Sequence, residues 1–267
     1  MISAIIKDLK GHGKSHIDGN PIFARLADGE VTRLHYLAYL RETYHLIQHT
    51  PKYLMIAANR VAANDPWLSA YFRKFGREET GHELLCIKDI HALGENADAL
   101  LSGHSSPGVW GIVTQCYFWA SEGNPVALLG DAFATEEIGA ASGMGAAQVL
   151  ETNYGIPRQA TNFLRVHGSE DKKHLEAAAQ AIERYAGDRD HYADIVHATR
   201  MTYRYYGELF TDVLELGDRW SKIGSPSPGA TSLTCRRRSG TSRWSSRATR
   251  SFRICPWPRT SCSESRS

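Results

Sequence analysis

The chain has 267 residues, of which 42% are hydrophobic and 22% charged, and its formal net charge is +2. This composition is typical of a globular protein with a full hydrophobic core. No apolar run approaches the roughly 20 residues that a membrane-spanning helix needs, which excludes a bilayer-spanning protein. The N-terminal residues lack the long apolar segment of a secretory signal, so the sequence predicts a cytoplasmic protein.

The charge is unevenly distributed along the chain. Residues 225–267 contain nine Arg and one Glu, a net of +8, which leaves −6 for residues 1–224. The C-terminal segment shows neither helical nor strand periodicity, and its Ser, Arg and Pro content buries too little apolar surface to offset chain entropy. We therefore predict one domain over 1–224 and a disordered or non-native tail over 225–267. A nucleic-acid-binding arm is the alternative for the tail, but the acidic domain opposes it and no nucleic-acid partner is expected.

Hydrophobic residues recur at helical spacing through residues 1–224, and Pro and Gly mark the helix ends. A short helix ends near Gly29 and a long one follows it. Asp65 and Pro66 begin the next predicted helix, which runs without interruption to Gly94. Further helices are predicted to begin at Ser106, Asn124, Pro157 and Asp188. No segment alternates as a strand does, so the sequence predicts an all-α bundle of about seven helices.

Three polar residues share one face of the helix predicted to begin at Pro157. Steps of four and seven residues place His167, Asp171 and His174 within roughly 60° of one another. An amphipathic helix usually keeps such a stripe for apolar residues that face the core. Two imidazoles and a carboxylate in that place indicate either a solvent-exposed face or a set of metal ligands.

The segment EETGHE contains Glu79-x-x-His82, and RETYHL contains a second copy, Glu42-x-x-His45. On a helix, a step of three puts both groups on one face. Di-iron bundle proteins use this spacing to present a carboxylate and an imidazole. Surface polarity is the alternative interpretation of each copy by itself.

Glu136 and Glu137 lie in a segment made otherwise of small and apolar residues. At least one of these acids is expected to face the interior or a very apolar flank. A buried carboxylate is costly without a partner cation, which is either a metal ion or a buried Arg.

Together, three segments offer three imidazoles and three carboxylates. Carboxylates balance the charge of two metal ions, and neutral histidines complete the coordination. This mixture of ligands suits iron or manganese better than the thiolate ligands of structural zinc. The combined pattern therefore predicts a two-metal site.

The order Glu-x-x-His, Glu in an Ala/Gly-rich helix, then His-x-x-x-Asp-x-x-His resembles the haem-oxygenase-like di-iron oxidases, also called iron-containing redox enzymes. The opening NPIFARLADGEVTRLHYLAYLRETYHLI is similar to that of the wider superfamily, which includes thiaminase II and the PQQ-synthesis oxidase. The resemblance covers roughly residues 15–217 and implies a single haem-oxygenase-like helical domain. It implies six iron ligands: Glu79, His82, Glu136, His167, Asp171 and His174.

The resemblance also carries expectations about chemistry. Glu42 corresponds to a further carboxylate that moves onto the metal in some members, and LLGDAFATE favours Glu136 over Glu137 as the ligand. The implied cofactor is two Fe²⁺ ions, with O₂ as co-substrate. The implied reaction is N-oxygenation, desaturation or oxidative C–C cleavage of a small amino-acid- or fatty-acid-like substrate in specialised metabolism. An external electron donor is expected, and the resemblance leaves a homodimer open.

Two other functions remain open on the sequence. A metal-free hydrolase of the thiaminase II kind needs a cysteine nucleophile, for which Cys116 is the candidate. Thr43 stands where that family's substrate-binding aspartate is expected. A non-catalytic iron-binding protein is the third hypothesis. For an oxidase, the sequence offers four aromatic residues as candidate pocket walls: Tyr44, Tyr117, Phe118 and Trp119.

Overall fold

A computed structural model describes residues 2–13, 15–224 and 226, so the predicted tail lies almost entirely outside the described residues. The described residues form eleven α-helices and no strand, which confirms the all-α prediction. The helices are α1 (Ile2–Gly11), α2 (Pro21–Ala27), α3 (Arg33–Ile47), α4 (Thr50–Val61), α5 (Pro66–Glu78), α6 (Glu83–Ala92), α7 (Ala97–Leu100), α8 (Pro107–Ser121), α9 (Leu128–Tyr154), α10 (Asn162–Tyr185) and α11 (Arg189–Ile223). None of them is long and apolar enough to cross a bilayer.

The predicted number of helices, about seven, was too low because two long predicted helices are interrupted and the short helices α1 and α7 were not predicted. The helix predicted to run from Pro66 to Gly94 breaks at residues 79–82, between α5 and α6. Gly81 has φ +93° there, a left-handed conformation that favours glycine and does not continue an α-helix. The long N-terminal helix likewise divides into α3 and α4, and Pro51 lies in the first turn of α4.

Helix α11 is the longest, with 35 residues, and it packs against α3, α8 and α9. Asp188 caps its start by accepting from the backbone N–H groups of Asp190 and His191. Tyr203 and Trp220 are fully buried on its inner face. Gly224, at φ +71°, ends the helix, and its N–H donates to the carbonyl of Trp220.

Helices α9 and α10 make the most extensive contact in the molecule, and small residues allow it. A Cβ atom at Gly168 of α10 would lie 2.5 Å from the backbone nitrogen of Met144 in α9. No other residue type fits this approach of the two backbones. The acids of α9 are therefore held opposite the histidines of α10.

The start of α10 is fixed by a buried acid that the sequence analysis did not single out. Asp89 of α6 accepts from the backbone N–H groups of Asn162 and Phe163, at 3.1 and 2.9 Å, and from the Asn162 side chain at 2.8 Å. These bonds satisfy N–H groups that the first turn of a helix leaves free. Because α10 carries three of the predicted ligands, Asp89 sets their position relative to α6.

Candidate metal centre

The structure brings five of the six predicted ligands into two groups where the α5–α6 connection, α9 and α10 meet, and the sixth, Asp171, lies beside Glu136. Two groups of three side chains each have one ligand atom within 4.8 Å of the others. The groups are Glu79, His82 and His167, and Glu79, Glu136 and His174. They are the two such groups in the described part of the chain, and Glu79 belongs to both.

Glu79 presents its two carboxylate oxygens to different histidines. Its Oε2 lies 3.1 Å from Nδ1 of His82, and its Oε1 lies 3.8 Å from Nδ1 of His174. Glu79 is buried and follows the last residue of α5, so it lies in the helix interruption rather than within a helix. The expectation that Glu79 and His82 share a helical face is therefore wrong, although both reach the same site.

The ring of His167 is held in one orientation by its neighbours. It stacks on Phe163 with 4.0 Å between centroids, and it meets the His82 ring edge-to-face at 4.9 Å. Nδ1 of His167 lies 2.9 Å from the carbonyl oxygen of Phe163, and since a carbonyl only accepts, Nδ1 is the protonated nitrogen. Burial lowers the pKa of His167, which favours the neutral form. Nε2 is consequently left with a free lone pair, as metal ligation requires.

Asp171 occupies space that only glycine leaves on α9. A Cβ atom at Gly139 would lie 1.8 Å from Oδ2 of Asp171, so this carboxyl group rests on the α9 backbone close to Glu136. Burial, followed by the charges of Glu136 and Glu79, raises the pKa of Asp171 far above its usual range.

The three buried acids of the site are Glu79, Glu136 and Asp171. None of them forms an ion pair with a described Lys or Arg side chain. Nδ1 of His174 lies 3.4 Å from Oε2 of Glu136 without the alignment of a hydrogen bond, and this buried oxygen has no hydrogen-bond partner among the described residues. Burial raises the pKa of Glu136, because a carboxylate there is poorly solvated. No described Arg, the alternative partner for this helix, pairs with Glu136. The orphaned oxygen and the histidine–carboxylate donor set both fit divalent metal ions.

Glu137 lies in a different environment from Glu136. Its Oε1 is 3.0 Å from the Nζ of Lys10, and its Oε2 accepts from the Tyr203 hydroxyl at 3.3 Å. Geometry therefore places Glu136 with the other candidate ligands and Glu137 on a different face of α9, about 100° around the helix axis.

The Glu42 carboxylate also lies outside both ligand groups. It is buried, pairs with Arg41, and accepts from the backbone N–H of Ser106 at 2.7 Å. Arg41 in turn donates to the carbonyl oxygen of Leu100, the last residue of α7, and to those of Ser102 and His104 in the segment between α7 and α8. In this arrangement Glu42 fixes the start of α8, and its catalytic role stays a prediction.

A cavity of about 160 Å³ reaches the candidate metal centre. Its walls include four of the candidate ligands, Glu79, Glu136, His167 and Asp171, and its aromatic residues are Tyr36, Tyr39, Tyr53, Phe75, Phe163, Tyr206, Phe23 and Phe210. The four aromatic residues suggested from the sequence, Tyr44, Tyr117, Phe118 and Trp119, do not line it. Phe118 is instead exposed. The cavity also contains a carboxyl group that the sequence analysis did not single out, that of Asp131.

Cys116, the candidate nucleophile of the hydrolase hypothesis, is fully buried and does not line this cavity. Burial raises the pKa of its thiol well above the usual range, which disfavours the reactive thiolate.

Comparisons with known proteins agree with the geometry of the fold. A family model described as iron-containing redox enzyme matches residues 37–207, more than half of the chain. No curated protein sequence matches the chain significantly.

Three solved structures share the fold at low sequence identity. A domain of unknown function with a heme oxygenase-like fold from Shewanella denitrificans is 19% identical, with a TM-score of 0.75 over 85% of this chain and 97% of that one. A TenA homologue from Pseudomonas syringae pathovar tomato is 14% identical (TM-score 0.64, 80% and 92% covered). A TenA homologue from Pyrococcus furiosus is 12% identical (TM-score 0.62, 80% and 100% covered). The chain thus has the heme oxygenase-like fold.

Proposed function

The chain belongs to the iron-containing redox enzymes, and from this membership we propose that it is a non-haem di-iron oxidase. The observation that carries the proposal is the pair of ligand groups that share Glu79, in a largely buried setting where no described Lys or Arg side chain pairs with the acids. Such a concentration of acids is costly unless cations balance it. Two divalent ions would do so.

In this proposal each ion would have its own ligands, and Glu79 would serve both. His82 and His167 would hold one ion, and Glu136 and His174 the other. Asp171, which rests against Gly139 beside Glu136, would supply the sixth ligand. Iron would provide the capacity to reduce O₂ and oxidise a substrate, and manganese is the second metal that these ligands suit.

The residues of the chain have three tasks in this reaction. The hydrogen bond from His167 to the Phe163 carbonyl would keep Nε2 directed at the metal. The buried acids would lose their protons as the ions bind, which balances charge inside the protein. The largely apolar cavity walls would exclude water and hold a substrate next to the ligands.

We propose a small amino-acid- or fatty-acid-like substrate, oxidised by N-oxygenation, desaturation or C–C cleavage in a biosynthetic pathway. The cavity volume suits such a molecule better than a polymer. An external donor would supply electrons.

The fold is also that of the TenA homologues, which keeps a thiaminase II-like hydrolase as the second candidate. That reaction needs an accessible nucleophile, and the burial of Cys116 away from the cavity opposes it. A non-catalytic iron-binding protein would keep the metal but lack turnover.

Reconstitution under anaerobic conditions with Fe(II) separates the three functions. We expect about two bound irons per chain, and O₂ consumption with a reductant and a panel of amino acids, amines and fatty acids. Cys116→Ser should leave both iron content and O₂ consumption unchanged. Thiamine hydrolysis by metal-free protein without O₂, abolished by Cys116→Ser, would instead establish the hydrolase. Iron binding without O₂-dependent product from any substrate of the panel would favour the non-catalytic protein.

A further inference from the structure

Asp131 is a buried carboxyl group that no part of the proposed metal chemistry uses. It lies in the first turn of α9, is only 3% exposed, and lines the same cavity as the candidate ligands. It precedes Glu136 by five residues, which is roughly 7.5 Å along the helix axis. Asp131 is therefore within the cavity but remote from the metal ligands.

The partners of Asp131 are neutral hydrogen-bond donors. Its Oδ1 accepts from the Thr202 hydroxyl at 2.8 Å and its Oδ2 from the Tyr53 hydroxyl at 3.3 Å. The Cys116 thiol lies within hydrogen-bonding reach as well. These donors stabilise a carboxylate without neutralising its charge. No Lys, Arg or His among the described side chains lies within 4.0 Å of it.

Other buried acids away from the metal centre have a clear structural task. Glu42 pairs with Arg41 and fixes the start of α8, while Asp89 accepts from the first turn of α10. Asp131 forms neither an ion pair nor a bond to a helix terminus. A carboxylate has about four acceptor sites, so one site remains beyond its three neighbours. This unfilled acceptor site and the uncompensated negative charge of the Asp131 carboxylate both lie at the cavity wall.

We propose that Asp131 is a specificity-determining residue that binds the ammonium group of an alkyl- or arylamine substrate. The aliphatic and aromatic walls would cover the rest of the molecule, and Asp131 would compensate its charge in a site with little water. Assignment of this amine as the substrate rests on the proposed oxidase function, whereas amine binding itself does not.

The test compares the binding of n-hexylamine and n-hexanol to metal-free protein by calorimetry at neutral pH. The two ligands share an alkyl chain, so their difference reports the contribution of the charge. We expect the parent protein to bind the amine roughly tenfold or more tightly than the alcohol. Asp131→Asn and Asp131→Leu should each remove this preference while the affinity for the alcohol changes little. If one variant does not fold, the other carries the comparison.

Two further variants identify the carboxylate responsible. Glu137→Gln, on α9 but paired with Lys10, should keep the preference for the amine. Glu136→Gln should also keep it. Equal binding of amine and alcohol by the parent, or a preference lost only in Glu136→Gln, would overturn the assignment. Neither iron nor O₂ is present in this test, so its result does not depend on oxidase activity. A failure of amine binding would likewise leave the proposed oxidase function unaffected.

Discussion

Glu136 and Glu137 are neighbours in sequence whose surroundings differ completely. The first has a buried oxygen without a hydrogen-bond partner, and the second pairs with Lys10 and Tyr203. We predict that Glu136→Gln lowers bound iron from about two to about one per chain or less, because a neutral amide is a weaker ligand than a carboxylate. Glu137→Gln should bind as much iron as the parent. A colorimetric iron assay measures both, and equal losses in the two variants would contradict the assignment.

Asp131 gives a prediction about pH. Burial raises its pKa, while hydrogen bonds from Thr202, Cys116 and Tyr53 oppose this only in part. Without a bound cation, folding therefore shifts the balance of Asp131 towards its protonated form relative to the unfolded chain. The stability that Asp131 contributes is complete below its unfolded pKa and declines as pH rises towards its folded pKa. The loss of unfolding free energy in Asp131→Asn should consequently be larger at about pH 5 than at about pH 8.

Urea denaturation of parent and variant at both pH values measures this difference. A cost of the substitution that grows with pH would show that Asp131 is stabilised as the anion by the fold alone.

At the scale of helices, the contact between α9 and α10 makes a prediction with an internal control. A Cβ atom at Gly139 would overlap Asp171, whereas one at Gly145 on the same helix meets nothing within 4 Å. Gly139→Ala should displace the Asp171 carboxyl, reduce bound iron and destabilise the protein by about 1–3 kcal/mol. Gly145→Ala should keep the iron and gain up to about 1 kcal/mol, since Ala favours a helix. Chemical denaturation and iron content measure both effects, and the same outcome for both variants would contradict this account.

The shared face of the candidate ligands on α10 was predictable because helical periodicity is a local property. His167, Asp171 and His174 share a face through spacing alone, and the structure keeps them on one helix. The interruption between α5 and α6 was not predictable in the same way, since EETGHE has the composition of a helix. Gly81 was the only local signal, and a single glycine in a helical pattern is usually tolerated.

The environments of single acids were the part that sequence did not reveal. Glu42 resembles a ligand in its Glu-x-x-His spacing, yet its carboxylate pairs with Arg41 and the start of α8. Asp131 lies in a segment of small and apolar residues, and its acidic side chain was the available sign of a functional role. Both depend on contacts between residues far apart in the chain, which spacing along one helix does not encode.

At the scale of the whole molecule, helix α11 ends with a well-formed terminus. Gly224 closes α11 in a left-handed conformation, next to the buried Trp220. We predict that truncation after Gly224 changes the melting temperature by less than about 2 °C and leaves the iron content unchanged, because the composition of residues 225–267 provides little apolar surface to bury. Thermal denaturation of both forms tests this, and a drop of several degrees would show that the tail contributes to folding.

The shared position of Glu79 has a consequence for how the proposed metal centre fills. Since one carboxylate belongs to both ligand groups, occupation of either position changes the charge and orientation that the other ion meets. The two binding events then have a coupling free energy, which acts equally in both directions. Metal titrations should accordingly depart from the isotherm of two independent sites, and Glu79→Gln should abolish that cooperativity as well as weaken the affinity.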